Sequence, residues 1–429
     1  MKGDNFKLIN GSTVVIIGGG PAGASAGIKL LKEGKKKGLN INVFIFEGKD
    51  FTYHYNQCVG VLSYPIREIF DNILEIPFPE DLIRREILGY DLYSMYKELE
   101  LHGEKGTYAT RRILFDRFML HTAQLLGAHI IRTRVTDLEF NNSDSVHVYT
   151  EGGFVRADVV VGAFGLDDGM ANILEHASKH TIGYTKPTKV LETIITKIHI
   201  DRDILQDRFE SKIHAFIPLG LNNLEFGAIT PKGDHIIINI AGKHITSKDM
   251  DAFLEYAPVK NMLYNIRFSD LDYYKGKFPI KPAKGIIGNR FVAVGDATGW
   301  VRPYKGKGIN IALETGAKAA DIMIKDGFSK DSLELYPAAF KHLKADFFYS
   351  KLFRSLVVLS IKTGFVEHVL EMAEDDPSLK ESLFMVVSGE GTYRKVIKNI
   401  LSPKEFVSLS YNFIKNLFRR VQKLKNATE

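Results

Sequence analysis

Thr13-Val14-Val15-Ile16-Ile17-Gly18-Gly19-Gly20-Pro21-Ala22-Gly23 is the stretch on which the fold turns. A β-branched apolar run breaks into glycines and then enters Ala24-Ser25-Ala26-Gly27-Ile28-Lys29-Leu30-Leu31. That order predicts a buried strand, a tight turn and a helix. Gly18, Gly20 and Gly23 fit Gly-x-Gly-x-x-Gly, where the first glycine permits the turn, the second admits a pyrophosphate against backbone, and the third lets helix pack on strand. The helix N-terminus would face the phosphates with free N–H groups and partial positive charge. A second apolar run, Ile41-Asn42-Val43-Phe44-Ile45-Phe46, ends in Glu47, an acid able to accept hydrogen bonds from ribose hydroxyls. Glu47 lies 24 residues past Gly23, against the customary ~20, and the loop holding Lys35, Lys36 and Lys37 absorbs the difference. A glycine turn in some other α/β unit is the alternative. Strand, helix and acid together favour the dinucleotide reading.

At 429 residues with 45% hydrophobic side chains, the chain can fill two or three domain cores. One cysteine, Cys58, excludes an intramolecular disulfide and fits a reducing compartment. The polar start and the lack of any apolar run near ~18 residues give a cytoplasmic location as the expectation. Of the net charge of +6, residues 401–429 supply +4 through Lys404, Lys415, Arg419, Arg420, Lys423 and Lys425 against Glu405 and Glu429. The remainder is nearly neutral, so no nucleic-acid partner is expected.

Residues 48–60 are polar and aromatic without a period, which predicts a loop leaving the second strand at its C-terminal end, where ligands of such sheets sit. Residues 64–76 and 114–127 read as helices, 87–101 as a strand pair, and 129–134, 146–150 and 154–162 as strands. From 191 to 241 the period is two, with strands near 192–200, 211–217, 225–230 and 235–240, an antiparallel sheet flooring a substrate pocket. Strands follow at 273–279 and 290–294, and from Ser329 on the chain reads as mostly helical.

Gly295-Asp296-Ala297-Thr298-Gly299 closes the buried strand 290–294, and Pro303-Tyr304-Lys305-Gly306-Lys307-Gly308-Ile309-Asn310 opens a helix over 311–324. An aspartate there can hold a flavin ribitol hydroxyl. A glycine-flanked helix start can set N–H groups against flavin N1 and the C2 carbonyl. The alternative is an Asp-Gly-rich loop with no ligand.

These motifs, with Arg112-Ile113-Leu114-Phe115-Asp116 resembling R-x-x-F-D, resemble the FAD-dependent p-hydroxybenzoate hydroxylase superfamily and, within it, the geranylgeranyl reductase family. The resemblance covers most of the first 325 residues, and Ser388 to Tyr393 extends it less specifically. It implies FAD held by Gly18, Gly20, Pro21, Ala22, Gly23, Glu47, Gly48, Cys58, Val59, Arg112, Val135, Gly295, Asp296, Gly306, Lys307, Gly308, Ile309 and Asn310. Arg112 would meet the phosphate and ribose region, and the Val135 backbone the adenine. Gln57-Cys58-Val59-Gly60 is similar to the family's Cys-x-Gly loop beside the flavin ring, which makes Cys58 the catalytic candidate, with Tyr53, His54 and Tyr55 behind it. Taken alone, Cys58 reads more often as a small buried hydrophobe, and only its loop raises the functional reading to an even match. His54 lacks metal-ligand spacing, and no metal site is expected.

Two departures stand out. Phe226, Ala228 and Thr230 occupy the aromatic positions of the family's Tyr-x-Trp-x-Phe-Pro motif, which implies an altered pocket wall. Gly162-Ala163-Phe164-Gly165 stands where the related hydroxylases carry G-A-D-G. A single dinucleotide turn and no Cys-x-x-x-x-Cys pair exclude a pyridine-nucleotide-disulfide reductase.

The expected fold is α/β: a doubly wound Rossmann-type FAD-binding domain in three parts (1–85, 106–188, 276–328), an inserted antiparallel β-sheet substrate domain (86–105, 189–275) and a helical C-terminal subdomain (329–429). The expected function is reduction of carbon–carbon double bonds in an isoprenoid or similarly apolar lipid, with electrons from ferredoxin, a quinol or NAD(P)H. A monooxygenase using NAD(P)H and oxygen, and a membrane-associated FAD-binding protein without turnover, are the alternatives. Residues 405–424 place Phe406, Leu409, Phe413, Ile414, Leu417, Val421 and Leu424 near helical spacing among basic residues. They read either as a peripheral contact with the inner membrane face or as a helix packed on the body.

Overall fold

A computed structural model describes residues 6–51, 57–141, 144–301 and 308–400. The chain divides into two compact units, the first made of Met1–Arg84, Thr110–Leu191 and Gly276–Lys344, the second of Arg85–Ala109, Glu192–Lys275 and the chain from Ala345 on.

The first unit is built on a six-stranded sheet in the order Ile287–Gly288, Phe291–Ala293, Val159–Gly162, Thr13–Ile17, Asn42–Phe46, His129–Ile131. All neighbours are parallel except the first pair. Its central strands are apolar on both sides, with Val14, Val15, Ile16, Val159, Val160 and Val161 fully buried, as a sheet covered on both faces requires. The helix Pro21–Lys36 makes the crossover between the strands Thr13–Ile17 and Asn42–Phe46 and packs on the helix Ile309–Lys325. The other face carries a three-stranded antiparallel sheet, Val135–Asn141, Ser145–Thr150 and Gly153–Ala157, whose Leu138, Val146 and Val148 meet Val15, Ile17 and Val160.

The expected strand over 154–162 is two strands in two sheets. Asp158 turns the chain between them: its N–H donates to the Thr13 carbonyl at 2.8 Å and its Oδ2 accepts the Thr13 N–H at 2.7 Å. Of the expected helix over 64–76, residues Ile66–Glu68 are α-helical and Ile69–Leu74 form a π-helical turn. The strand Val135–Asn141 has no counterpart in the sequence reading, because Thr136-Asp137-Leu138-Glu139 puts charge on its open face and weakens the apolar signal.

In the second unit the sheet runs Val190–His199, His235–Gly242, Leu224–Pro231, Lys212–Phe216, Ile83–Tyr93, Glu98–Thr110. The first four strands pair antiparallel, while Lys212–Phe216 pairs parallel with Ile83–Tyr93. One face buries Ile194, Ile198, Phe216, Ile229, Ile236, Ile238 and Ile240 against Leu205, Phe209, Met250 and Phe253 of the short helices Arg202–Phe209 and Ser247–Leu254. Helices Lys341–Thr363, Val366–Asp375, Pro377–Ser388 and Tyr393–Ile400 follow. Arg354 grips Glu225 through two nitrogens, and Glu367 accepts from the Ser94 hydroxyl and the Met95 N–H.

The parallel register His214↔Asp91 and Lys212↔Gly89 puts a polar cluster inside this unit. Asp91 and His214 are both nearly fully buried. The Phe209 carbonyl can only accept, so His214 Nε2 carries the ring proton at 3.1 Å, and Nδ1 accepts from the Tyr93 hydroxyl at 3.3 Å. Burial pushes Asp91 up to about 6 although Lys212 Nζ, at 3.6 Å, pulls the other way. Burial lowers His214 to about 4. At neutral pH the Asp91 charge is therefore met by Lys212, and His214 is neutral.

Among the described residues no helix is long and apolar enough to cross a membrane.

Candidate functional site

The glycine turn sits at the C-terminal edge of the parallel sheet. Gly18 has φ +106°, and a Cβ there would fall 2.4 Å from the Ala163 carbonyl oxygen. Its N–H donates to the Phe46 carbonyl at 2.8 Å. A Cβ on Gly23 would stand 1.9 Å from the Gly18 carbonyl oxygen, so the helix closes on the strand only because both residues are glycine. Gly20 differs, since a Cβ on it meets nothing within 4 Å. Gly20 is the N-cap of Pro21–Lys36, no side chain caps this end, and its first turn holds no acid. The helix therefore presents uncapped N–H groups to an open cradle, the arrangement that suits a pyrophosphate.

Glu47 is fixed beneath this turn. Oε2 accepts the Gly19 N–H and Oε1 the Lys49 N–H, both at 2.8 Å. Each oxygen keeps a lone pair for a ribose hydroxyl. Gly48 lies against the Arg134 side chain, whose Cγ would be 2.7 Å from a Cβ added there, and Val135 packs with Phe46 in the core beside it.

The second glycine motif meets the first. Gly295, at φ +63°, approaches Ala22 so closely that a Cβ would sit 2.8 Å from the alanine methyl. Asp296 follows in the turn Gly295–Thr298, and a Cβ on Gly308, the N-cap of Ile309–Lys325, would lie 3.1 Å from Asp296 Oδ1. Asn310 donates through Nδ2 to the Ser63 carbonyl at 2.9 Å and the Tyr64 carbonyl at 3.2 Å, anchoring the segment after the Cys58 loop. Ile309 is buried.

Cys58 and Arg112 converge through Gly60. The Gly60 carbonyl accepts the Thr110 N–H at 2.8 Å and the Thr110 hydroxyl at 3.0 Å, and the Gly60 N–H points at Cys58 Sγ at 3.4 Å, with Val59 between them. Arg112, one turn from Asp116 on the helix Arg112–Leu125, donates through Nε to Asp116 Oδ1 at 2.6 Å. Burial works against the guanidinium charge, but Asp116 and the neighbouring Cys58 sulfur more than offset it, so Arg112 holds its proton more firmly than usual. Burial pushes the Asp296 carboxyl up, and the Arg112 charge pulls it partly back. A half-buried thiol, a fixed cation and a half-buried carboxyl thus share one locality.

Gly306, Lys307, Tyr53, His54 and Tyr55, and the basic segment from Lys404 on, lie outside the described residues. Thr110 had no signal in the sequence. The Arg112–Asp116 pair was readable from its i,i+4 spacing. Phe164 packs edge-on against Tyr184 at 5.9 Å, a core contact at the place of the hydroxylases' aspartate. On the second unit's sheet, Phe226, Ala228 and Thr230 alternate with Gly227 and Ile229, so they share the face turned away from that unit's isoleucine core. Among the described residues no group of three or more His, Cys, Asp or Glu side chains could hold a metal ion.

No family model matches the sequence. Over 414 residues the chain is 22% identical to the digeranylgeranylglycerophospholipid reductase of Methanocaldococcus jannaschii, covering 90% of this chain and 98% of that protein. The geranylgeranyl bacteriochlorophyll reductase-like protein of Thermoplasma acidophilum superposes with a TM-score of 0.70 at 17% identity, over 94% of this chain and 100% of that one. The flavin-dependent brominase Bmp2 superposes with a TM-score of 0.67 at 18% identity, over 90% of this chain and 98% of that one. The chain is thus similar to the geranylgeranyl reductases, in sequence over 90% of its length and in fold over 94% of it.

Proposed function

We propose that this protein is an FAD-dependent oxidoreductase that reduces carbon–carbon double bonds of an isoprenoid or similarly apolar lipid. The observation that carries the reading is the convergence of Gly18, Gly20, Gly23, Glu47, Arg112, Asp296 and Cys58 at one sheet edge. The relatives, named as reductases of geranylgeranyl lipids, supply the substrate class.

The cradle fits FAD. The helix after Gly20, with Pro21 and Ala22 in its first turn, would take the pyrophosphate, and Glu47 beside Gly48 the ribose. The Val135 backbone would meet the adenine. Arg112 would hold the phosphate and ribose region, with Asp116 fixing the guanidinium plane. Asp296 with Gly295 would take a ribitol hydroxyl. The helix start at Gly308, Ile309 and Asn310, with Gly306 and Lys307 before it, would set N–H groups toward the ring carbonyl. Reduced FAD supplies a hydride to the alkene. Cys58, with Val59, would position the alkene or relay the proton that must accompany it. The FAD-binding segments would be 1–85, 106–188 and 276–328, and 86–105 with 189–275 would form a separate substrate-binding domain. The donor that reduces the flavin is external: ferredoxin, a quinol or NAD(P)H.

The test is to reduce the flavin anaerobically, add prenyl lipids, and follow flavin reoxidation with lipid mass. A gain of two hydrogens per flavin is expected. Oxygen incorporation on admitting air would replace this reading with a monooxygenase, and no response to any lipid would leave an FAD-binding protein without turnover.

A further inference from the structure

The helix Lys341–Thr363 buries one side and leaves an apolar stripe on the other. Ser350 and Phe353 are buried, Phe353 lies 5.6 Å from the ring of Tyr393, and Arg354 is held on Glu225. Opposite them Phe348 is 68% exposed, Leu352 39%, Leu356 40% and Leu359 58%. At 100° per residue these four fall on one line along the helix. Single exposed hydrophobics are ordinary, but a line of four on one helix is a patch.

The helix's own charges beside it are of one sign. Lys344, Lys351 and Lys362 are exposed and follow one edge of the stripe. The helix's one acid, Asp346, faces inward and accepts the Arg394 N–H at 3.2 Å. An apolar line edged by lysines matches a surface that is oily below and anionic above. A second copy of the stripe would bring lysine against lysine. Residues 401–429, with six basic side chains, would meet the same repulsion.

We propose that the stripe Phe348–Leu352–Leu356–Leu359 with Lys344, Lys351 and Lys362 is a docking face for an anionic lipid bilayer. The helix lies in the plane of the surface, its apolar line among the acyl chains and its lysine stems reaching up to the headgroups. The inference stands on the helix alone and is independent of what the protein reduces.

The full chain is sedimented with vesicles of phosphatidylcholine mixed with phosphatidylglycerol and with vesicles of phosphatidylcholine alone. It should partition onto the mixed vesicles and release in high salt. Phe348→Ser with Leu352→Gln, Leu356→Gln and Leu359→Gln should lower the partition coefficient by about tenfold or more. Lys344→Glu, Lys351→Glu and Lys362→Glu should each lower it about fivefold, on the anionic vesicles only. These positions are exposed, and an unchanged circular dichroism spectrum certifies the fold of each variant. The proposal is overturned by a stripe variant that sediments like the parent, or by a parent that sediments with neither vesicle. It is equally overturned if sedimentation is lost on ending the chain at Ile400 yet survives the stripe substitutions, which would make the tail the anchor. A parent that is dimeric and unbound, with a monomeric stripe variant, would assign the stripe to a second copy.

Discussion

The Gly19 N–H donates to Oε2 of Glu47 over 2.8 Å, so the glycine turn and the end of the second parallel strand are one structural unit. Without that bond the carboxylate would be free to swing from the turn. Glu47→Ala should therefore cost about 1 kcal/mol of stability, since a charged acceptor is lost at a partly exposed site. FAD affinity should fall at least about tenfold as a ribose hydroxyl loses its acceptor. Glu47→Gln should recover most of the stability but only part of the affinity. Thermal melts with and without FAD, and flavin fluorescence titration, separate the two effects; equal affinity in all three proteins would remove Glu47 from the cofactor site.

Gly20 and Gly23 make a paired test. Gly20 is at φ −68° with open space around its would-be Cβ. Gly20→Asp should fold normally and fail to retain FAD, because its carboxylate would stand where the pyrophosphate belongs. Gly23→Ala has no such space, with the Gly18 carbonyl 1.9 Å away, and should lose about 1–3 kcal/mol of stability by overpacking before any question of cofactor arises. Urea unfolding of the FAD-free proteins gives the first comparison, and flavin absorbance after reconstitution the second. Retention of FAD by Gly20→Asp would contradict the assignment of the cradle.

The parallel sheet was legible because its strands are continuous apolar runs, and Val14–Ile17 and Val159–Val161 bury on both faces. The glycine motifs were legible because their constraints are local: φ +106° at Gly18 and the contact at Gly23 each need a residue without Cβ. What escaped was set by distant pairings. Asp158 splits 154–162 because it bonds to Thr13, which lies 145 residues away. The parallel pairing of Lys212–Phe216 with Ile83–Tyr93 leaves no trace in a period-two pattern, which is the same for either strand direction. Thr110 holds the Cys58 loop through Gly60, and a lone threonine at a strand end gives no warning of it.

Arg112 should matter to cofactor binding. Arg112→Met would strand Asp116 and leave Asp296 without the charge that opposes its burial, so FAD binding should weaken. Flavin fluorescence titration of parent and variant reads the loss, and equal affinity in the two would remove Arg112 from the cofactor site. In turnover, Cys58→Ala should slow flavin reoxidation by the lipid while FAD stays bound; an unchanged rate would take Cys58 out of the mechanism.

The Asp91–His214 pair in the second unit sets opposing demands on stability across mildly acid pH. Asp91 titrates at about 6 in the fold against 3.8 ordinarily, so the folded state holds its proton more tightly. The stability this lends is complete below the ordinary value and is lost as pH rises through about 6. His214 titrates at about 4 against 6.5, so the folded state resists its protonation. Its contribution is complete above 6.5 and is lost as pH falls toward 4. With slopes of opposite sign in one window, the two largely cancel in the native protein. Asp91→Asn should expose the histidine alone, and stability should then drop by about 2–3 kcal/mol, relative to the parent's profile, between pH 7 and pH 4.5. His214→Gln should do the reverse, with stability relative to the parent falling as pH rises through the same window. Each difference is read from urea midpoints at matched pH, which cancels the background of surface carboxylates. Parallel profiles for parent and both variants would show that neither group changes its proton affinity on folding.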